Sequence, residues 1–191
     1  MLVFSPLLLV TTLAIKLTSR GPVLFRQERV GLHREPFTIY KFRTMYTDND
    51  DSEQRRLMRE QLTAETPPDG GKPGIYKLAH DPRITPVGRI LRQLSIDELP
   101  QLLNVVRGEM SLVGPRPYVP WEADLFPPQV ERRFSVRPGM TGLWQVSGRS
   151  TVDYRTALEI DVHYAIHKSL WLDLRILART AVVIFDRSLT R

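Results

Sequence analysis

The sequence predicts an α+β fold, a single compact domain with a small β-hairpin near its start and several amphipathic helices after it. Three observations carry this expectation. Residues 23–30 and 36–45 are rich in β-branched and aromatic side chains and flank a turn-like Gly31-Leu-His-Arg-Glu35, which is the pattern of a hairpin. Leu99, Leu102, Leu103 and Val106 recur at i, i+3, i+4, i+7, the spacing of a helix packed on a core. The chain has 191 residues, 42% of them hydrophobic, enough for one core, and it shows no internal repeat. Cysteine is absent, which excludes disulfides and thiolate chemistry. The balance of 27 Lys and Arg against 21 Asp and Glu, net +6, suits anionic partners: nucleic acid, an acidic membrane leaflet or phosphorylated substrates. No nucleic-acid-binding motif accompanies that charge, so no nucleic-acid partner is expected.

Residues 1–17 carry one charge, Lys16, and are otherwise apolar or small. The run is shorter than the about 20 residues that cross a bilayer. Its cations, Lys16, Arg20, Arg26 and Arg29, follow the apolar stretch, unlike those of a signal peptide, and by the positive-inside rule they mark the cytoplasmic side. Ser5-Pro6 interrupts the run, and a proline there kinks or breaks a helix. Two readings stand, a membrane-inserted segment or an ordinary buried N-terminal helix. In the hairpin, Phe37, Ile39, Lys41 and Arg43 share a face if the second strand is regular, so two cations extend a face that starts apolar. They serve either as polar strand ends or as a phosphate-facing pair. Residues 48–64 read as an exposed amphipathic helix whose acids, Asp48, Asp50, Asp51 and Glu53, suit a first helical turn better than a metal site. Pro and Gly at 67–74 read as a surface excursion.

Thr85 is then the expected N-cap and Pro86 the first residue of a helix running to Leu94, with Arg89 and Arg92 on one face. Next comes Ser95-Ile-Asp97-Glu98-Leu-Pro100-Gln101, two adjacent carboxylates where a helix begins. The field of a helix N-terminus favours anions by about 0.3–1 kcal/mol, so Asp97 is expected to stay ionised, fit to act as a nucleophile or metal ligand. Capping is the alternative: Ser95 with Glu98 matches a capping box, and Asp97 matches an N-cap that places Pro100 where its missing N–H is not felt. Arg107-Gly108 closes the helix that follows. In Gly114-Pro115-Arg116-Pro117 an arginine is held between two residues of fixed φ, and its rigid fork suits phosphate or carboxylate.

Trp121, Leu125, Phe126, Val130 and Phe134, with Pro120, Pro127 and Pro128 among them and Arg132 and Arg133 alongside, fit either the headgroup layer of a membrane or a core. Tight turns at 137–139 and 141–142 precede a strand expected at 143–146. A helix is expected from Thr151 to about His167, with Asp161 and Tyr164 as i, i+3 neighbours. A last one covers 171–185, packed on the protein or a membrane surface because Asp173, Arg175 and Arg179 interrupt it. The four histidines, His33, His80, His163 and His167, form no metal-binding pattern.

Taken together, residues 94–117, Lys41-Phe-Arg43-Thr-Met45 upstream and Arg137-Pro-Gly-Met-Thr-Gly-Leu-Trp-Gln145-Val-Ser-Gly-Arg149 downstream closely resemble the bacterial sugar transferase family, the monotopic phosphoglycosyl transferases. The resemblance runs from about residue 5 to about 180, and several long motifs in order are more specific than any one. It implies transfer of a sugar 1-phosphate from a UDP-sugar to polyprenyl (undecaprenyl) phosphate, releasing UMP through an aspartyl-phosphosugar, an early membrane step of exopolysaccharide, O-antigen or glycoconjugate synthesis. It makes Asp97 and Glu98 the catalytic and metal-holding pair, with Mg²⁺, or Mn²⁺ in its place, as the ion. Lys41, Arg43, Arg89, Arg92, Arg116, Arg137, Gln145 and Asp161 become substrate-side residues, although an ion pair with a nearby arginine is an equal reading of Asp161. In the family a Ser-Pro pair bends a re-entrant helix that dips into one leaflet, so Ser5 and Pro6 are membrane residues by resemblance. The limb that precedes the pair in the family is nearly absent here. The implied division is 1–20 as the remnant of that helix and 21–191 as the catalytic domain, on the cytoplasmic face of the bacterial inner membrane, with membrane lipid and a second copy of the chain as further partners. The final motif leans weakly toward glucose or galactose as the sugar.

Overall fold

The hairpin forms as expected. In the computed structural model β1 (Leu24–Val30) and β2 (Pro36–Phe42) run antiparallel, Leu24 opposite Phe42 and Val30 opposite Pro36. The Gly31 N–H donates to the Glu35 carbonyl at 2.8 Å, and His33 and Arg34 turn the chain with φ of 53° and 65°. The structure describes residues 5–47, 52, 55, 56, 59, 81–148 and 152–185. Positions 52, 55, 56 and 59 are helical; the rest of the expected 48–64 helix with its acids, and the excursion at 67–74, lie outside the described residues.

Ahead of the hairpin stands α1 (Ser5–Thr18). Thr11 and Ile15, four apart, turn inward, whereas Leu9, Val10, Leu13 and Leu17 are 61%, 64%, 52% and 85% exposed. This is not an ordinary buried helix. Ser5 and Pro6 occupy its first turn, where a proline forfeits no hydrogen bond, and any bend before them lies outside the described residues. No helix among the described residues is long and apolar enough to cross a membrane.

α2 (Pro86–Gln93) starts as the sequence predicts, with Thr85 Oγ1 accepting from the Gly88 N–H at 2.9 Å. A Cβ on Gly88 would lie 2.1 Å from the Thr44 carbonyl oxygen, so only glycine lets α2 rest on the end of the hairpin. Leu91 there joins Phe42 and Ile15 in one apolar cluster.

The acid heptapeptide departs from its expected geometry. It forms a 3-10 turn, Ile96–Gln101, followed by α3 (Leu102–Val106); Ser95 takes a left-handed φ of 54° and its side chain caps nothing. Neither capping frame is therefore built, since Asp97 lies inside the turn. The buried face is not the leucine stripe either: Asp97, Gln101 and Asn104 turn inward, and Val106 is 80% exposed. Asn104 supplies the reason. Its Oδ1 accepts from the Tyr40 N–H at 3.2 Å, and its Nδ2 donates to the Thr38 carbonyl and a Glu109 carboxylate oxygen at 2.7 Å each. A buried amide satisfied in this way fixes which face goes in.

A second, parallel sheet of two short strands joins β3 (Ser111–Val113) to β4 (Gly139–Thr141). Gly139 permits the approach, because a Cβ there would lie 2.1 Å from the Gly114 nitrogen. The strand expected at 143–146 is instead α5 (Leu143–Gly148). Leu143 and Val146, three apart, pack together on Val113, Tyr164 and Ile176, which a helix allows and an alternating strand does not.

Between the two β-segments lie α4 (Pro120–Ala123) and a 3-10 stretch, Pro128–Ser135. Phe126, Val130 and Phe134 are core, clustered with Tyr118, Tyr154 and Leu158; burying each such side chain contributes about 1.5–3 kcal/mol. α6 (Tyr154–His167) is capped by Asp153, which accepts from the Thr156 N–H at 3.0 Å. α7 (Leu170–Phe185) buries Ile176 but leaves Leu170, Trp171 and Val182 at 76%, 69% and 61% exposure.

Candidate active site

Asn104 joins α3 to β2 next to Lys41, and so brings the hairpin's cation against the acid pair. Lys41 Nζ lies 2.9 Å from Glu98 Oε1. Asp97 beside it is only 9% exposed. Burial, reinforced by the adjacent Glu98, pushes its carboxyl up to about 6, against the pull of Lys41 and Arg92. The expected dominance of a helix-terminus field is thus corrected. A six-residue 3-10 turn aligns few peptide dipoles, and desolvation outweighs them. Asp97 is still ionised above pH 6. Lys41 is pulled down by burial, which Glu98 opposes.

Arg116 completes this centre. Its charge acts on Lys41, and its guanidinium makes no hydrogen bond or ion pair among the described residues. Arg92 stands at the rim with Nε on Thr44 Oγ1 at 2.8 Å. Lys41 and Arg92 are therefore the predicted cations whose charges act on Asp97, with Arg116 acting on Lys41. The others have surroundings of their own. Arg43 is buried under the end of α1, donating to the Arg20 carbonyl and, at 2.9 Å each, to the carbonyl and Oγ of Ser19, so it satisfies open carbonyls of that helix end. Arg89 and Arg137 are exposed. Gln145 is buried near β4, its Nε2 3.5 Å from the Met140 carbonyl. Asp161 is fully buried and pairs at 2.7 Å with Arg133. Burial raises its carboxyl, and Arg133 opposes the rise. A hollow of about 390 Å³ lined by Lys16, Arg20, Tyr46 and Thr47 opens at the end of α1, apart from the acid pair.

Sequence reasoning missed two residues that build the centre. Asn104 interrupts the apolar run Leu102-Leu-Asn-Val-Val106, and a lone amide there signals a buried, partnered group. Arg133 lies three residues after Val130, hence on the inward face, and it stacks among Tyr118, Phe134 and Phe126 at 4.5, 5.1 and 5.3 Å. Among the described residues no cluster of three or more His, Cys, Asp or Glu is placed to hold a metal ion.

The family model for bacterial sugar transferases matches residues 1–187. The chain belongs to the bacterial sugar transferase family. Members similar to it include the undecaprenyl-phosphate galactose phosphotransferase of Salmonella typhimurium, 45% identical over 168 residues, 87% of this chain and 34% of that protein. The UDP-glucose:undecaprenyl-phosphate glucose-1-phosphate transferase of Caulobacter vibrioides is 45% identical over 185 residues, 93% of this chain and 62% of that one. The exopolysaccharide production protein ExoY of Rhizobium meliloti is 42% identical over 182 residues, 94% of this chain and 77% of that one. The chain spans about a third of the length of the Salmonella family member.

Proposed function

We propose that this chain moves a sugar 1-phosphate from a UDP-sugar to undecaprenyl phosphate in two displacements on Asp97. The observation that carries the reading is the acid pair with Asp97 buried, in which Lys41 bonds to Glu98 while Asp97 keeps its carboxylate for chemistry. An ionised Asp97 oxygen attacks the β-phosphorus of the donor; the bond from that phosphorus to the oxygen bridging the two phosphates breaks, and UMP leaves with the electron pair. A phosphate oxygen of the lipid acceptor then attacks the same phosphorus, and the bond to Asp97 breaks. Splitting the transfer lets donor and acceptor use one site in turn. The acceptor phosphate is already ionised near neutral pH, so no strong base is required. Arg116 is free to bind the donor diphosphate with its fork, and Lys41 holds Glu98 in place.

The pair fits Mg²⁺ of the kind held by one or two carboxylates and substrate phosphates; Asp97 and Glu98 would hold it. When bound, it offsets charge on the phosphate oxygens. Membrane association belongs to the same reading. The apolar residues exposed on α1 and α7 suit a helix surface lying at a bilayer, where the acceptor resides and where nearby cations would meet anionic lipid.

Asp97→Asn tests the mechanism, since it removes charge with almost no change of shape. The variant is expected to fold and to release UMP at least about a thousandfold more slowly. Wild-type protein given UDP-glucose or UDP-galactose without acceptor should release at most about one UMP per chain and retain labelled sugar phosphate on an Asp97 peptide. Release that waits for the lipid acceptor would refute the covalent route.

A further inference from the structure

The segment carrying Arg116 cannot anchor itself as most loops do. Pro115 and Pro117 have no N–H to donate, so its fixed points are mostly carbonyls, beside the Arg116 N–H, which acts on the Asp161 carboxylate. All four from Pro115 to Tyr118 accept a hydrogen bond. The outer two are bound by backbone: the Gly139 N–H reaches the Pro115 carbonyl at 2.9 Å and the Val30 N–H reaches the Tyr118 carbonyl at 2.9 Å. The inner two are bound by side chains. Arg133 Nη2 donates to the Arg116 carbonyl at 2.7 Å, and Arg29 Nη1 donates to the Pro117 carbonyl at 3.1 Å.

Each of these arginines is itself held. Arg133 donates to Asp161 Oδ2 at 2.7 Å and lies over three aromatic rings. Arg29 donates to Gln27 Oε1 at 2.6 Å, and Glu122 acts on its charge. Stability is a poor explanation for such an arrangement, because a buried ion pair is often replaced by apolar residues at no loss. Orientation is a better one. The peptide planes on either side of a residue set where its Cα–Cβ bond points; Gly139 and Arg133 tie the two planes that flank Arg116 through the Pro115 and Arg116 carbonyls, and Arg29 ties the next plane, which fixes Pro117.

We propose that Arg133 with Asp161, and Arg29 with Gln27, are positioning residues that aim the Arg116 guanidinium at the diphosphate of the donor. The inference rests on the reading that Arg116 binds that diphosphate. It gives Asp161 a duty exercised through Arg133 and the backbone, with no contact to substrate.

A double-mutant cycle on UDP affinity, measured by calorimetry with the full chain in detergent and Mg²⁺, tests it. Arg29→Met is expected to weaken UDP binding about tenfold in the wild-type background and less than about twofold in an Arg116→Ala background, because the two residues act as one unit. A direct charge effect of Arg29, or a general loosening of the fold, would cost the same factor in both backgrounds and would overturn the proposal while leaving Arg116 as a ligand. If Arg116→Ala binds UDP like the wild type, the reading of Arg116 fails and the clamp fails with it. Arg133→Met/Asp161→Leu, which leaves no charge unpaired, runs the same cycle through the other arginine, so a folding defect in one variant does not decide the result.

Discussion

Two carboxylate–cation pairs of nearly equal length lie on either side of Arg116, and they behave as opposites. Lys41 and Glu98 approach to 2.9 Å with side chains 21% and 24% exposed; Arg133 and Asp161 approach to 2.7 Å at 2% and 1%. In the first region both partners keep part of their surface exposed, and a second acid, Asp97, acts on the same lysine. In the second, the guanidinium is spent on a carboxylate, a carbonyl and aromatic faces. The same kind of charge pair thus gives an open centre with chemistry to spare and a closed one that holds. Access and unspent charge make the difference.

The contrast is most severely tested by removing one cation from each pair. Arg133→Met leaves Asp161 charged and without its partner in the interior, which costs about 3–5 kcal/mol and should lower Tm by about 10 °C. Lys41→Met leaves Glu98 partly hydrated and should cost about 1 kcal/mol or less. Equal losses in thermal unfolding would mean that the two pairs do not differ in kind.

A smaller effect comes from Asp97 itself, and it has opposite signs for activity and stability. With its carboxyl raised from 3.8 to about 6, the nucleophile protonates as pH falls, and turnover should drop about tenfold per unit below pH 6. The folded state binds this proton more tightly than the unfolded chain does. Stability from this group is therefore complete below about pH 4 and is lost as pH rises through 6. Asp97→Asn should accordingly be more stable than the wild type at pH 8, by on the order of 2–3 kcal/mol, and match it at pH 4. Urea midpoints at the two pH values measure this. A variant less stable at pH 8 would show that the carboxylate holds the turn together after all.

What could be read from the sequence follows from distance along the chain. The hairpin and the start of α2 were legible because their signals are local: alternation around a turn, and Thr85 with Pro86. The acid pair was legible as chemistry, but its environment was not, because the desolvation that raises Asp97 comes with the packing of β2, far upstream, on the turn. β4 has three residues and pairs with a strand far upstream, so nothing near it announced a strand, and the apolar residues just after it attracted that assignment instead. Arg133 and Asp161 lie 28 positions apart. An ion pair with a nearby arginine is one of two readings of Asp161, yet no spacing rule singles out Arg133, and Arg43 cannot be told from a phosphate ligand until the end of α1 lies above it.

Arg116 is where the two regions meet, since its carbonyl belongs to the closed pair and its guanidinium to the open centre. Arg116→Lys separates these memberships. The backbone carbonyl is unchanged by the substitution, so Arg133, Asp161 and the fold around them should stay as they are, and Tm should move by less than about 2 °C. The side chain keeps its charge but loses its planar fork. A lysine offers a point charge where two parallel hydrogen bonds to a diphosphate are needed. The expected result is a fall of about tenfold in kcat/KM for the UDP-sugar, with the pH dependence set by Asp97 retained because that carboxylate is untouched. Near-normal turnover would return Arg116 to the status of a turn residue and leave the closed pair with nothing to aim. A large drop in Tm would instead show that the open side also holds the fold, and the division between the two regions would not stand.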